Sequence, residues 1–145
     1  MLQLTGLWMA VATFLGIWWG HVGVRWLEAH SPNIRPPALI LIVIGIALQI
    51  VSLFTPNLTL AGVASIVGIT FLWDAFELYR QQKRVIQGHA PANPANPRHA
   101  AYLATPNSQA ITDDLLEREP SDPTVQTASW QVARIKNQKS RARKI

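Results

Sequence analysis

The sequence predicts an all-α membrane protein: three transmembrane helices followed by a largely disordered cytoplasmic C-terminal tail. Three observations predict it. Charge is segregated: the first 79 of the 145 residues hold five charged side chains (Arg25, Glu28, Arg35, Asp74, Glu77) and the last 66 hold sixteen. A single soluble domain does not sort its charges in this way. The charge-poor half contains three apolar runs of spanning length, made of helix-compatible residues and lacking the period-two alternation of a membrane barrel. The Lys and Arg residues flank only one set of ends of those runs.

The first run, residues 4–24, is interrupted only by Thr5, Thr13, glycines and His21. At 1.5 Å per residue it reaches about 31 Å, enough for a hydrocarbon core. The stretch before Arg25 carries no acidic residue and no Lys or Arg, which is the pattern of an uncleaved segment with its N-terminus outside, not of a secretory leader. The second run, residues 38–54, starts behind Pro36-Pro37, where proline suits a first helical turn, and contains one amide, Gln49, placed to hydrogen-bond across helices. Only Thr55-Pro56-Asn57 separates it from the third run, residues 58–79. Asn57-Leu58-Thr59 matches a glycosylation acceptor, but a turn so close to the membrane is a poor substrate. Residues 80–87 continue the third helix and Gly88 stops it, so the membrane domain is expected over residues 1–87 and the tail over 88–145.

In the tail, the stretch from His89 to Pro97 repeats proline and reads as extended and polyproline-like. Residues 111–119 read as a short acidic helix and 129–144 as a basic one, neither with enough apolar area to fold alone. With three spans, the first connection (Arg25 to Arg35) and the tail share a side, and all thirteen Lys/Arg fall there. The excess of positive charge places that side in the cytoplasm. Trp18, Trp19, Trp26 and Trp73 gather at the same interface, and Trp8 lies towards the other.

Composition excludes several chemistries. Without cysteine there are no disulfides, thiolate nucleophiles or zinc-thiolate sites. The net charge of +5 sits in the flanks and the extreme C-terminus, so nucleic acid is not an expected partner. No phosphate loop, nucleophile elbow or HExxH motif occurs, so the chain is not read as an enzyme, and no metal or cofactor is expected.

Three groups of residues are candidates for function. Ala12, Gly16 and Gly20 repeat every four residues, a small-residue seam on which another helix packs, either within the bundle or from a partner. An intramembrane polar cluster comprises His21, Arg25, Glu28, Asp74 and Glu77. Asp74 and Glu77 are three apart and share a helix face, and ionisable groups at this depth pair with one another. The expected pairs are His21 with Asp74 and Arg25 with Glu77. The cluster reads either as a proton- or ligand-responsive site, since histidine titrates near neutral pH, or as a structural clamp. In the tail, Trp130, Arg134, Lys136, Lys139, Arg141, Arg143 and Lys144 form a basic patch suited to lipid or a partner.

Two stretches resemble a known family. Thr13-Phe14-Leu15, His21 and Glu28 form one; Trp73, Glu77-Leu78, Gln81, Lys83-Arg84-Val85, Gly88, Pro91 and Asn93-Pro94 form the other. They are similar to the small bacterial membrane proteins catalogued as domain of unknown function 4491, over residues 4–97. Where that pattern has proline after the histidine, this chain has Val22. The resemblance implies an integral protein of a bacterial cytoplasmic (inner) membrane and implies no activity.

The leading expectation is a non-catalytic accessory or scaffold subunit of a membrane complex, or a homo-oligomer, with lipids and other membrane subunits as partners. The alternative is a small proton-coupled transporter or sensor using His21, Asp74 and Glu77. A third reading is a pigment- or haem-binding subunit through His21.

Overall fold

A computed structural model of the chain describes residues 4–114. These residues form four helices: α1 (Leu4–His30), α2 (Arg35–Phe54), α3 (Leu58–Ile86) and α4 (Pro97–Ala104). The first three are long and apolar enough to cross a membrane, and no more than 22% of any one's apolar window is buried within the protein. Side chains such as Phe14, Leu53 and Phe54, 69–82% exposed, are not covered by the other described residues, as suits side chains that face lipid. The chain is therefore a multi-pass membrane protein.

All three spans lie where the apolar runs place them, and α1 is longer than its run. At 27 and 29 residues, α1 and α3 reach about 40 and 43 Å, beyond a hydrocarbon core of about 30 Å. α1 continues through Arg25 and Glu28 to His30, leaving only a short link to α2. The start expected at Pro36-Pro37 is present, and α3 has a cap at Asn57 that was not expected. Pro36 and Pro37 occupy the first turn of α2, and the Asn57 carboxamide oxygen accepts from Leu60 N–H at 3.0 Å to cap α3.

α3 lies between the other two spans. On the α2 side, glycines bring the backbones together: a Cβ on Gly45 would sit 2.9 Å from the Gly68 carbonyl oxygen. Gln49 Nε2 donates to the Ser65 carbonyl (3.0 Å) and Ser52 Oγ donates to that of Ala61 (2.9 Å). The interhelical bond expected of Gln49 is thus made. On the α1 side, Thr5 and Thr59 hydroxyls meet at 2.9 Å. At the charged end, Val24, Ala38, Leu41, Ala75 and Leu78 join all three helices in one small core.

α3 ends in a Schellman motif. Gly88 takes φ 71°, its N–H donates to Val85 O (3.1 Å), and His89 N–H donates to Arg84 O (2.8 Å). The stop expected at Gly88 is present, but the residues after it depart from the expected extended tail. The chain folds back, Ala92 N–H donates to Ile111 O (2.7 Å), and Val85, Ala90 and Ala92 bury beneath Tyr102 and Leu103. The compact unit accordingly runs from Met1 to Asp113, so the boundary expected at residue 87 falls inside it. Residues 111–114 are not helical; the rest of the expected acidic helix and the basic patch from Trp130 to Lys144 lie outside the described residues.

The Asn-Pro repeat explains the fold-back. At the end of α1 Ser31 N–H serves the Leu27 carbonyl (2.9 Å), and the later carbonyls need donors from elsewhere. Asn93 Nδ2 donates to Ala29 O (3.0 Å), and Asn96 Nδ2 donates to both Ala29 O and Ser31 O (3.0 Å each). The other end of the Asn96 carboxamide accepts from Arg98 N–H (3.0 Å) and starts α4, with Pro97 in its first turn. One buried asparagine therefore caps two helices.

Candidate functional site

The small-residue stripe of α1 meets a polar stripe of α3. Thr70, Asp74 and Glu77 recur at helical spacing on one face of α3. Opposite them, a Cβ on Gly16 would lie 3.0 Å from Thr70 Oγ1, and one on Gly20 would lie 2.8 Å from Asp74 Oδ1. Ala12, 7% exposed, completes the stripe. The seam is thus used inside the chain, against α3. Glycine at position 20 is what leaves room for the Asp74 carboxylate.

Beside this contact lies a groove of about 480 Å³ lined by Gly16, Ile17, Gly20, His21 on α1 and Ile69, Thr70, Trp73, Asp74, Glu77, Arg80 on α3. Asp74 is 2% exposed, and its Oδ2 has no hydrogen-bond partner among the described residues. The Thr70 hydroxyl donates to the Ile66 carbonyl of its own helix (2.8 Å). The expected partnership of Arg25 with Glu77 is not the one found. Glu77 binds Arg84 at 2.7 Å and Arg80 at 3.5 Å, both one or two turns along its own helix. Short-range pairs on α3 supply the nearest cations, whereas Arg25 lies on the exposed side of α1, where it borders a shallow recess with His21 and Val22. His21 and Asp74 do share the groove, as their equal depth suggests. His30 turns back on its own helix: it stacks on Trp26 with centroids 4.8 Å apart, and Nδ1 donates to the Trp26 carbonyl (2.9 Å).

Glu28, expected in the same cluster as His21 and Asp74, belongs to a different one. It is 1% exposed and faces residues 70 and 71 positions later. His99, fully buried, has Nε2 3.0 Å from Glu28 Oε1. The Asn93 N–H donates to His99 Nδ1 (2.9 Å), so Nδ1 is the acceptor and Nε2 carries the proton that Glu28 receives. Arg98 Nη1 lies 3.0 Å from the same oxygen as an ion pair without hydrogen-bond alignment, and Nη2 donates to the Glu28 main-chain carbonyl. Tyr102 stacks on His99 and accepts from Gln82 Nε2 (2.6 Å). Together these contacts form a clasp that locks residues 93–102 to the ends of α1 and α3.

The two clusters differ in what they leave open. The clasp is closed, and its carboxylate is paired. The α1–α3 groove is partly open and holds one buried carboxylate oxygen without a partner, so it is the candidate site. Among the described residues no group of three His, Asp or Glu side chains is placed to hold a metal ion. A family model described as a domain of unknown function, DUF4491, matches residues 3–96. No curated protein and no solved structure matches the chain.

Proposed function

The chain belongs to the DUF4491 family, and we propose that it is a non-catalytic multi-pass protein of the bacterial cytoplasmic membrane whose α1–α3 groove responds to protons or cations. Its N-terminus lies outside and the Glu28 clasp faces the cytoplasm, as the one-sided placement of Lys and Arg favours. The observation that carries the reading is Asp74: a carboxylate 2% exposed, with Oδ2 unpartnered, across from His21 in a membrane-embedded groove. An ionised carboxylate there needs a counter-charge, so proton uptake and cation binding are coupled at that oxygen.

The test is infrared titration of the whole chain in lipid nanodiscs. A protonated-carboxyl band that grows as pH falls, and that Asp74→Asn removes while His21→Ala shifts its midpoint, supports the reading. A band unchanged by Asp74→Asn sinks it.

A second reading, the accessory subunit or homo-oligomer, is favoured by a second, apolar recess of about 440 Å³ on α1 and α3, lined by Trp8, Val11, Ala12, Leu15, Gly16 and Trp18 among others. Gly16 and Gly20 face α3, and this recess, bordered by Ala12 and Gly16, is the docking surface that remains. Gentle extraction at native level followed by native-gel migration tests it, and migration as a monomer removes it. The pigment reading is tested by the visible spectrum of the same preparation, where a colourless protein removes it.

A further inference from the structure

The lining of the groove narrows the kind of cation that suits it. Of its two carboxylates, Glu77 already faces Arg84 and Arg80, so Asp74 is the one acceptor with an unpartnered oxygen. Calcium or magnesium takes six or more oxygens, Thr70 is the single further side-chain oxygen donor beside these carboxylates, and no three His, Asp or Glu side chains among the described residues are placed to hold a metal ion. The remaining walls are Ile17, Ile69, Trp73 and two glycines, with His21 and the Glu77-paired Arg80 at the rim, and the volume is inside the roughly 300–1,000 Å³ range of small-molecule sites. An unpartnered carboxylate oxygen calls for an N–H donor, and the walls call for an apolar body carrying it.

We propose that the groove binds a small lipophilic ammonium, a protonated amine whose N–H donates to the Asp74 carboxylate, turned from its buried position to meet it, while its apolar body lies against Ile17, Ile69 and Trp73. The proposal rests on the proton- or cation-responsive reading above and names its ligand class. When Asp74 is protonated, binding the ammonium releases that proton to solvent, so the two cations exclude one another. The charged and titratable groups facing Asp74 are His21 on α1, with Arg25 a turn beyond, and Glu77 and Arg80 on α3. Proton binding at Asp74 competes with the ammonium, so binding weakens as pH falls.

The experiment uses the whole chain in phosphatidylcholine nanodiscs. Benzylammonium is the probe, benzyl alcohol its neutral counterpart, and benzyltrimethylammonium the cation lacking an N–H. The readout is the fluorescence that Trp73→Phe removes. Saturable benzylammonium binding is expected, at least about tenfold tighter than either counterpart and at least about tenfold weaker in Asp74→Asn. Ile17→Trp, which fills the groove and leaves Asp74 in place, is expected to abolish binding and keep the infrared carboxyl band. Equal, unsaturable signals from benzylammonium and benzyl alcohol mean membrane partition and overturn the proposal, as does saturable binding unchanged in both variants. If binding fails while the Asp74 band titrates, the ammonium is wrong and the responsive groove stands; if the band is also missing, both fall.

Discussion

Replacing Glu28 by alanine is expected to open the clasp between α1 and residues 93–102. Glu28 is 1% exposed, the side chain of Arg98 11%, and His99 0%. Removing one partner of such a buried pair costs about 3–5 kcal/mol, because the Arg98 cation loses its counter-charge and the His99 Nε2–H its acceptor. Arg98 keeps its bond to the Glu28 main-chain carbonyl, which places the effect at the lower end, about 3 kcal/mol. That is roughly a 150-fold rise in the open population. Trypsin reads it directly: the bond after Arg98 lies inside α4, so cleavage there needs the clasp to open, and slow cleavage tracks the open population. In micelles, Glu28→Ala is expected to accelerate cleavage after Arg98 by about two orders of magnitude. Glu28→Gln keeps an acceptor for His99 and loses the ion pair, so its effect is smaller. In a double-mutant cycle, His99→Ala should cost less in the Glu28→Ala background than alone. Cleavage in Glu28→Ala within about twofold of the parent, or a cycle with no coupling, would refute the claim that Glu28 holds this segment down.

Two further outcomes concern glycines. Gly45→Ala is expected to lower stability by about 1–3 kcal/mol, because its Cβ would meet Leu72 Cγ at 2.8 Å and the Gly68 carbonyl at 2.9 Å. Gly6→Ala, with nothing within 4 Å of its Cβ, should be neutral or stabilising by up to about 1 kcal/mol; denaturant titration in mixed micelles showing equal effects would count against the close α2–α3 crossing at Gly45 and Gly68. Gly88→Ala combines a left-handed backbone at φ 71°, about 1–2 kcal/mol for other residues, with a collision against the Gln109 carbonyl. It is expected to strip hydrogen-exchange protection from Ala92 N–H while sparing the spans, and retained protection would show that the fold-back does not depend on that turn.

Much of the membrane half was legible in the sequence because its signals are local. Run length marks the spans, Pro36-Pro37 marks the start of α2, and Gly88 marks the end of α3. The groove was legible for a similar reason: His21, Asp74 and Glu77 lie at one depth on helices that end at the same interface, and the Ala12/Gly16/Gly20 stripe identified the face through which α1 packs. Pairing was less legible. Glu77 found Arg84 and Arg80 on its own helix instead of Arg25, since i+3 and i+7 neighbours were closer than a residue on the exposed side of α1. The partners of Glu28 were invisible because the loop path that delivers Arg98 and His99 is not written in periodicity. The Asn-Pro repeat misled for a related reason. Its prolines suggest a solvated linker, but its asparagines act on carbonyls more than sixty residues away, and composition carries no signal of that reach.

The double cap at Asn96 carries a consequence for how the protein is made. The carbonyl it serves at Ser31 is 65 residues earlier in the chain. During synthesis α1 emerges first, yet the donors for Ala29 and Ser31 are translated only after α3 is complete. Until then the final turn of α1 must borrow water or lipid headgroups. The end of α1 is therefore finished only after α3 has been made, and a nascent chain arrested before Asn93 would carry an inserted bundle with the end of α1 still fraying at the membrane surface.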